Sequence, residues 1–338
     1  MVTGAAGYVG SLLVERLVGS SDVSKVVATD LRPRSDTDGS PAQRRDGKLV
    51  EKLGRLDNRD FVKGLESYLP LDAVVHSAFV IRKGYGRTAS TAIERANLES
   101  CRNVFEFCFR NNVARLIYFS SAAAYGARSE NRINHLFKEE EPLREEVYAY
   151  GVQKRMSECL LRDLYEEWKP QTRVVVVRPC GITGPRFQGE PTKKISLISL
   201  LKKLLPVIPE VSREWARQFV HEEDLADAVG LLLQAEIPRG YEVYNLAPND
   251  YLTASDIAEA LGKRTLRIPP WTANLAFHLL WHLTRGTVPT PKGSINFYRH
   301  PVNLDGAKIQ ELGFTYRYGS KQSLLAVRAD PGSPRVSA

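Results

Sequence analysis

The chain has 338 residues, of which 43% are hydrophobic and 25% are charged, a composition ordinary for a globular protein. This length suits one large α/β domain with a smaller lobe, or two domains, and the composition argues against wholesale disorder. The net charge is +8, but the basic residues are scattered along the chain rather than set in one aromatic-interleaved stripe. We therefore expect no nucleic-acid partner, and the positive field suits an anionic, nucleotide-linked substrate.

A glycine stands at every third position near the start of the chain, at Gly4, Gly7 and Gly10, directly before an apolar helical pattern. This spacing is typical of a strand-to-helix turn that approaches a diphosphate. Gly4 permits the tight turn, Gly7 lets the backbone come near the ligand, and Gly10 lets the helix pack on the sheet. The backbone N–H groups of the first helical turn, at Tyr8 and Val9, would then face the phosphates.

Asp30 closes the apolar run 26–30. An acid about 20 residues past such glycines accepts the hydroxyls of an adenosine ribose and repels a 2′-phosphate. Arg32 and Arg34 follow closely and would tolerate a 2′-phosphate, so the sequence favours NAD, with NADP as the alternative cofactor. The other interpretation of Asp30 is an acid that caps a surface loop.

Candidate strands and helices alternate through the first half of the chain. The strands are Lys25–Asp30, Ala73–His76, Arg115–Ser120 and Thr172–Arg178, and the helical patterns are Ser11–Val18, Ala89–Asn111 and Val147–Trp168. This alternation predicts an α/β protein with a Rossmann-type doubly wound parallel sheet that binds ligands at the carboxyl ends of its strands. Only three residues precede Gly4, so we expect either a very short first strand or, as we favour, a recorded start inside a longer one.

The second half of the chain changes in character. Proline-marked loops and short helical patterns follow Gly184, at Ser196–Leu205, Glu222–Gln234 and Ser255–Leu261. We expect a cofactor-binding domain over residues 1–183, to which parts of 220–248 return, and a smaller C-terminal substrate lobe over 184–328. We expect the segment 32–48 to be a mobile loop and residues 329–338 to be a disordered tail.

The apolar stretch between Trp271 and Leu283 is too short to span a bilayer. We expect it to form an amphipathic helix over the smaller lobe, with a position on a membrane surface as the alternative. We expect no transmembrane segment. The chain has four cysteines, Cys101, Cys108, Cys159 and Cys180. They form no C-x-x-C pair and show no metal-ligand spacing, which predicts reduced thiols, a cytoplasmic location and no bound metal.

Tyr150 and Lys154 lie four residues apart in an apolar-periodic helix, so their side chains share one face. A nearby lysine cation, together with an oxidised nicotinamide, favours the tyrosinate, so this phenol can take a proton from a substrate hydroxyl. Lys154 can also bind ribose hydroxyls. Ser121 follows the strand 115–120 and can hydrogen-bond the reacting oxygen. The alternatives are a helix surface pair and a serine that satisfies a turn.

Taken in order, these motifs resemble those of the extended short-chain dehydrogenases/reductases, the NAD-dependent epimerase/dehydratase family. The resemblance runs from Val2 to about Leu325. Its carriers are Thr3–Gly10, Asp30, Val75–Ala78, Asn97, Phe119–Ser121, Tyr150 with Lys154, Arg178–Pro179, Gly184–Pro185, Arg217–Asp224, Tyr244–Asn245 and Glu311–Phe314.

The resemblance implies roles for particular residues. It makes Ser121, Tyr150 and Lys154 the catalytic residues. The cofactor contacts that it implies are Gly4, Gly7, Tyr8, Val9, Gly10, Asp30, Ala78, Phe79, Asn97, Tyr150, Lys154, Pro179 and Ile182, with Cys180 beside the nicotinamide. Arg217 matches an arginine that pairs with substrate phosphate, and the alternative is an ion pair with Glu222 or Glu223.

The resemblance also implies a homodimer, in which the helices 89–111 and 147–168 pair as a four-helix bundle. The apolar positions Val104, Phe107 and Phe109 are expected to support this interface. Two isolated histidines are expected to be structural, His76 in the core and His221 in lobe packing.

Departures from the family pattern narrow the activity. Ala122 and Ala123 stand where sugar dehydratases place an Asp-Glu pair, so we expect no 4,6-dehydratase chemistry. The first hypothesis is an NAD-dependent epimerase of a small-molecule substrate, a nucleotide sugar. The second is an NAD(P)-dependent dehydrogenase or reductase of a less polar alcohol or ketone, similar to the hydroxysteroid dehydrogenases. One observation favours this second hypothesis: Cys180 stands near the sequence position where the epimerases have an asparagine that contacts the diphosphate. A pocket wall of Trp271, Phe277 and Trp281 would also suit a less polar substrate. A third, a dinucleotide-bound scaffold or sensor, would not require the intact catalytic set.

Overall fold

The computed structural model describes residues 1–34, 47–81, 87–187, 205–237 and 240–327. Seven strands form its central sheet, at Val2–Thr3 (β1), Val26–Asp30 (β2), Leu49–Leu53 (β3), Ala73–His76 (β4), Arg115–Phe119 (β5), Arg173–Pro179 (β7) and Tyr241–Leu246 (β12). All neighbouring pairs are parallel, in the order β12-β7-β5-β4-β1-β2-β3. The order reverses beside β1, which places a ligand crevice there. The predicted doubly wound α/β fold is confirmed.

Parallel pairing explains how distant sequence motifs come together. The carboxyl ends of all seven strands meet at one edge of the sheet. Gly4 and Ser121 therefore follow β1 and β5 at this edge, and Asp30 ends β2 there, although up to 117 positions separate these residues in the sequence. The strands that lie between two helical layers are apolar on both faces, as in β7, where six consecutive residues are buried.

Helices cover both faces of the sheet. They span Tyr8–Gly19 (α1), Arg59–Gly64 (α2), Arg87–Arg110 (α3), Ala149–Trp168 (α4) and Glu222–Gln234 (α5). Leu12 of α1 and Leu225 of α5 belong to the core on one face. Phe105 of α3 and Leu161 of α4 belong to the core on the other.

A smaller set of elements lies beyond the carboxyl edge of the sheet. Its short strands are Leu136–Phe137 (β6), Gly181–Thr183 (β8), Val207–Glu210 (β9), Ala216–Arg217 (β10), Phe219–His221 (β11), Leu252–Thr253 (β13), Arg264–Arg267 (β14) and Asn303–Leu304 (β15). Its helices are Ala254–Ala260 (α6), Pro270–Leu283 (α7) and Ser320–Leu325 (α8). Its own core includes Ile208, Trp215 and Ile257. The domain boundary at residue 183 stays a prediction.

Several expectations fall wholly or mostly outside the described residues. They are the helix at 196–205, of which only Leu205 is described, the mobile loop at 32–48, of which 35–46 are not described, and the disordered tail. Within the described ranges, no helix has both the length and the apolarity to cross a membrane.

The expected support for a dimer from Val104, Phe107 and Phe109 is wrong. These side chains are 1%, 4% and 4% exposed, because they pack inside the chain between α3, α4 and the sheet. Helical periodicity placed them on an apolar face, but that face belongs to the core of the same chain.

Candidate active site

The glycine turn between β1 and α1 is closely packed. Gly4 has φ of +72°, and a Cβ there would lie 2.7 Å from the backbone of Ala78. A Cβ at Gly10 would lie 2.0 Å from the carbonyl oxygen of Gly4. No side chain caps α1 at Gly7, so the N–H groups of its first turn remain free to bind an anion. This cradle fits the diphosphate of a dinucleotide.

Asp30 lies directly beside this turn. Its Oδ2 accepts the backbone N–H of Ala6 at 3.0 Å, and its Oδ1 accepts that of Arg32 at 3.1 Å. Each carboxylate oxygen keeps a lone pair for a further donor. The Asp30 carboxylate can therefore hold the backbone of this turn and accept ribose hydroxyls at the same time.

Tyr150 lies in the first turn of α4, and the side chain of Ser121 is near enough to its phenol to lower the pKa of that group. The Ser121 Oγ also accepts the backbone N–H of Ala123 at 3.2 Å, which caps the short 3₁₀ turn Ala122–Tyr125. Burial raises the pKa of Tyr150, and the neighbouring Ser121 side chain offsets part of this rise. The structure thus brings together the two residues that the sequence assigns to the reacting oxygen.

Lys154 shares the helix face of Tyr150 but does not reach its hydroxyl. Its Nζ donates to the carbonyl oxygen of Phe119 at 2.6 Å and lies 3.7 Å from the ring centroid of Phe79. The distance from Nζ to the ring centroid of Tyr150 is 6.0 Å. Burial lowers the pKa of Lys154 to about 8. Lys154 was expected to lower the pKa of the Tyr150 phenol. In this structure that pKa is raised, so Lys154 does not lower it through direct contact.

Asn97 fixes the turn that follows β4. Its Oδ1 accepts the N–H of Val80 at 2.9 Å, while its Nδ2 donates to the Val80 carbonyl at 3.1 Å and to Oε1 of Gln153 at 2.8 Å. Both amide protons are therefore used within the chain. Asn97 positions the turn carrying Ala78 and Phe79 against α4.

A buried ionic network beneath the site was missed by sequence reasoning. Arg178 pairs with Glu158 at 2.7 Å, and both side chains are 5% exposed. Glu158 also accepts a hydrogen bond from Ser120, and Arg178 donates to the hydroxyl of Tyr125 at 2.7 Å. The network anchors both ends of the Ser121 turn. A signal existed in the four-residue spacing of Tyr150, Lys154 and Glu158, which places an acid on the buried face of α4.

The other cofactor candidates lie after β7. Pro179 ends the strand, and Ile182 follows in β8, which pairs with β11. The Cys180 N–H donates to the carbonyl of Leu246 at 3.1 Å, and burial raises the pKa of its thiol. Cys180 is thus an apolar wall residue.

Arg217 faces aromatic rings rather than acids. Its guanidinium carbon lies 4.7 Å from the ring centroid of Tyr298 and 6.0 Å from that of Phe297. The alternative ion pair is not formed, since Glu222 instead contacts Tyr8 and Arg186, and Glu223 contacts Arg16. Arg217 therefore keeps its charge available for an anionic ligand.

An aromatic wall, formed by Tyr148, Phe297 and Tyr298, connects Arg217 to Tyr150. The ring of Tyr148 lies 5.3 Å from that of Phe297 and 5.9 Å from that of Tyr150, between ring centroids. The wall expected from Trp271, Phe277 and Trp281 is wrong for Trp271, which is 66% exposed on the outer face of α7. Phe277 reaches the wall, with its ring 5.4 Å from that of Tyr298.

The two histidines are structural in this geometry. His76 is fully buried, and its Nδ1 lies 2.7 Å from Oγ1 of Thr3. Burial lowers its pKa to about 3. His221 caps α5 by accepting the N–H of Glu223, and its ring stacks on Tyr318 at 4.0 Å.

Comparison with known proteins decides the family. A model described as the NAD dependent epimerase/dehydratase family matches residues 1–247. The chain belongs to this NAD-dependent epimerase/dehydratase family. The predicted family, its enzymatic nature and its NAD cofactor are confirmed.

Individual relatives are more distant. The chain is 27% identical to a UDP-glucose 4-epimerase of Cyamopsis tetragonoloba over 285 residues, which cover 77% of this chain and 79% of the relative. It is 25% identical to an ADP-L-glycero-D-manno-heptose-6-epimerase of Brachyspira hyodysenteriae over 271 residues, with 77% and 79% covered.

Solved structures show the same fold. A Thermotoga maritima UDP-glucose 4-epimerase with UDP-glucose gives a TM-score of 0.70 at 17% identity, covering 96% of each chain. A dTDP-glucose 4,6-dehydratase of Bacillus anthracis in complex with NAD gives 0.70 at 18% identity, covering 96% of this chain and 94% of that one. The epimerase and dehydratase share this architecture, so the reaction has to be argued from side chains.

Proposed function

We propose that this protein is an NAD-dependent epimerase of a nucleotide sugar that uses Ser121, Tyr150 and Lys154. The observation that carries the proposal is the close contact between the first turn of α4, which carries Tyr150, and the turn that begins at Ser121. A Cβ at Gly151 would lie 2.4 Å from the carbonyl oxygen of Ala123, and Lys154 donates to the carbonyl oxygen of Phe119 at 2.6 Å. This contact lies at the sheet edge that also carries the glycine turn, and the aromatic wall links it to Arg217. The relatives' names supply the substrate class, and they do not favour the hydroxysteroid-type alternative.

Each residue has a defined task in this proposal. The turn at Gly4, Gly7 and Gly10 holds the diphosphate of NAD, and Asp30 accepts ribose hydroxyls. When bound, NAD supplies a hydride acceptor and a positive ring charge. Tyr150 accepts the proton of a sugar hydroxyl, while Ser121 holds the same oxygen. The same sugar carbon gives up its hydride, and the resulting keto sugar turns over. Its carbon then regains the hydride on the opposite face, and its oxygen regains the proton from Tyr150.

The residues after Ser121 favour epimerisation over dehydration. Ala122 and Ala123 form the 3₁₀ turn next to the reacting oxygen, and neither has a side chain that transfers protons. Elimination of water requires a second acid and base. We therefore propose a reaction that ends with the same functional groups as it began.

Asp30→Asn is expected to weaken NAD binding by about tenfold or more and to relax discrimination against NADP. A hydrogen bond to a charged group contributes about 1.5–3 kcal/mol, and the carboxylate also repels the 2′-phosphate. Asparagine keeps the size and one acceptor oxygen. Fluorescence titrations with both cofactors measure the effect. An unchanged NAD preference would show that Asp30 only caps the turn.

Arg217→Met is expected to raise the KM for a nucleotide-linked substrate by about tenfold or more, with a smaller change in kcat, because it removes a charge-assisted phosphate contact. Methionine keeps an unbranched apolar side chain against Tyr298. Arg173→Met, an exposed arginine at the opposite end of the sheet, is the matched control. An equal KM in both variants would remove Arg217 from substrate binding.

The assembly and location of the protein are part of the proposal. We propose a homodimer through the outer faces of α3 and α4, where Met156 is 45% exposed. A sedimentation-velocity experiment that finds only a species with the mass of one chain would contradict the homodimer. We also propose a cytoplasmic location, because all four cysteines are free and three of them are buried.

A further inference from the structure

The helix α7 presents an unusual apolar surface. Of its 14 residues, Ala273 alone is buried. Trp271, Leu275, Leu279 and Leu283 are 66%, 49%, 45% and 80% exposed. They recur every fourth residue, so they form one continuous line along the outer side of the helix. Exposed apolar residues that are contiguous indicate an interaction site.

The surroundings of this helix carry charge of one sign. Between Glu259 and Asp305 the sequence contains no acidic residue, although the chain has 39 of them in 338. The same segment contains six basic residues, which are Lys263, Arg264, Arg267, Arg285, Lys292 and Arg299. Arg264 and Arg267 in β14 and Arg285 after α7 are exposed. None of these three forms an ion pair with a residue that the structure describes.

A basic cleft adjoins the start of the helix. It has a volume of about 650 Å³, and Arg213, Arg267 and Arg299 line it beside Pro270. Glu214 also lines the cleft, but its Oε2 is occupied by the backbone N–H of Ile133 at 2.8 Å. The excess of positive charge is suited to anionic groups next to the apolar line.

We propose that α7 docks the protein onto the surface of a bilayer that contains anionic phospholipid. The line from Trp271 to Leu283 enters the boundary between headgroups and acyl chains, and the flanking arginines contact lipid phosphates. A helix of 14 residues is about 21 Å long and lies flat rather than crossing the membrane. A second copy is a poorer occupant, because symmetric pairing would bring two segments of the same charge together.

The docked surface lies close to the candidate active site. Phe277 on the inner side of α7 contacts Tyr298, and Tyr298 contacts Arg217. Membrane binding through α7 would therefore place the bilayer on the side of the aromatic wall that faces away from Arg217. The proposal does not depend on which sugar is the substrate.

Vesicle flotation of the full chain tests the proposal. Phosphatidylcholine vesicles are compared with vesicles of equal parts phosphatidylcholine and phosphatidylglycerol, at low and at high salt. We expect binding to the mixed vesicles, weaker binding to phosphatidylcholine alone, and loss of the difference at high salt. Absence of binding to the mixed vesicles would overturn the proposal.

Two double variants separate the apolar and the charged contributions. Trp271→Gln with Leu283→Gln, and Arg264→Gln with Arg285→Gln, are each expected to lower vesicle affinity by about tenfold or more. The matched control is Leu53→Gln with Leu325→Gln, which are 50% and 46% exposed away from α7. All three should keep the melting temperature of the wild type. Equal vesicle affinity in the first double variant and the control would overturn the proposal. It would also be overturned if the unaltered protein did not bind vesicles and the first double variant instead converted a dimer to monomers.

Discussion

Tyr150→Phe is expected to lower kcat by roughly two to four orders of magnitude while NAD remains bound. The substitution removes the hydroxyl that lies near Ser121, and leaves the ring that contacts Phe79 at 5.8 Å between centroids. Steady-state kinetics with a nucleotide sugar and a separate NAD titration measure the two quantities.

Tyr148→Phe is the matched control for this experiment. Tyr148 lies two positions earlier and its ring is 5.9 Å from that of Tyr150, but its hydroxyl is assigned no proton transfer. We expect it to keep most of the turnover. Equal losses in both variants would mean that the phenols act through packing, and an active Tyr150→Phe would exclude Tyr150 from the chemistry.

Gly10→Ala is expected to abolish dinucleotide binding and to destabilise the fold. The added Cβ would lie 2.0 Å from the carbonyl oxygen of Gly4 and 3.0 Å from Cα of Ala5. These are backbone atoms, so the turn itself must shift, at a cost of about 1–3 kcal/mol or more. Thermal melts with and without NAD measure both effects, and we expect the variant to gain nothing from the cofactor.

Gly19→Ala provides a control on the same helix. A Cβ at Gly19 meets no atom within 4 Å. Alanine there is expected to leave NAD binding intact and to stabilise the fold by up to about 1 kcal/mol, through helix propensity. If the two substitutions had the same effect, close packing of the turn would not be the reason for the glycine at position 10.

The sequence predicted buried strands better than edge strands. β4 matches its predicted bounds, Ala73–His76, because it is a short apolar run of which three residues are buried. β3, at Leu49–Leu53, was not predicted. It lies at the edge of the sheet with Glu51 and Lys52 exposed, so it carries no continuous apolar run. β12 was likewise absent from the predicted strands.

The candidate site was predictable where spacing along the chain sets geometry. A glycine every third residue, and a tyrosine four residues before a lysine, define local arrangements. The contacts of Arg217 with Phe297 and Tyr298 could not be derived, because about 80 residues separate them and only the tertiary fold joins them. For the same reason, periodicity showed that Trp271 lies on an apolar helix face without showing that this face is exposed.

Conversion of nucleotide sugars by the freshly purified protein is the most direct test of the central claim. Proton NMR follows UDP-linked, ADP-linked and dTDP-linked hexoses without a stoichiometric oxidant, and the absorbance of NADH is recorded in parallel. The account predicts that one of these sugars reaches an equilibrium mixture with its epimer while NADH does not accumulate. Accumulation of NADH in proportion to product, or no epimer from any of these sugars, would contradict it.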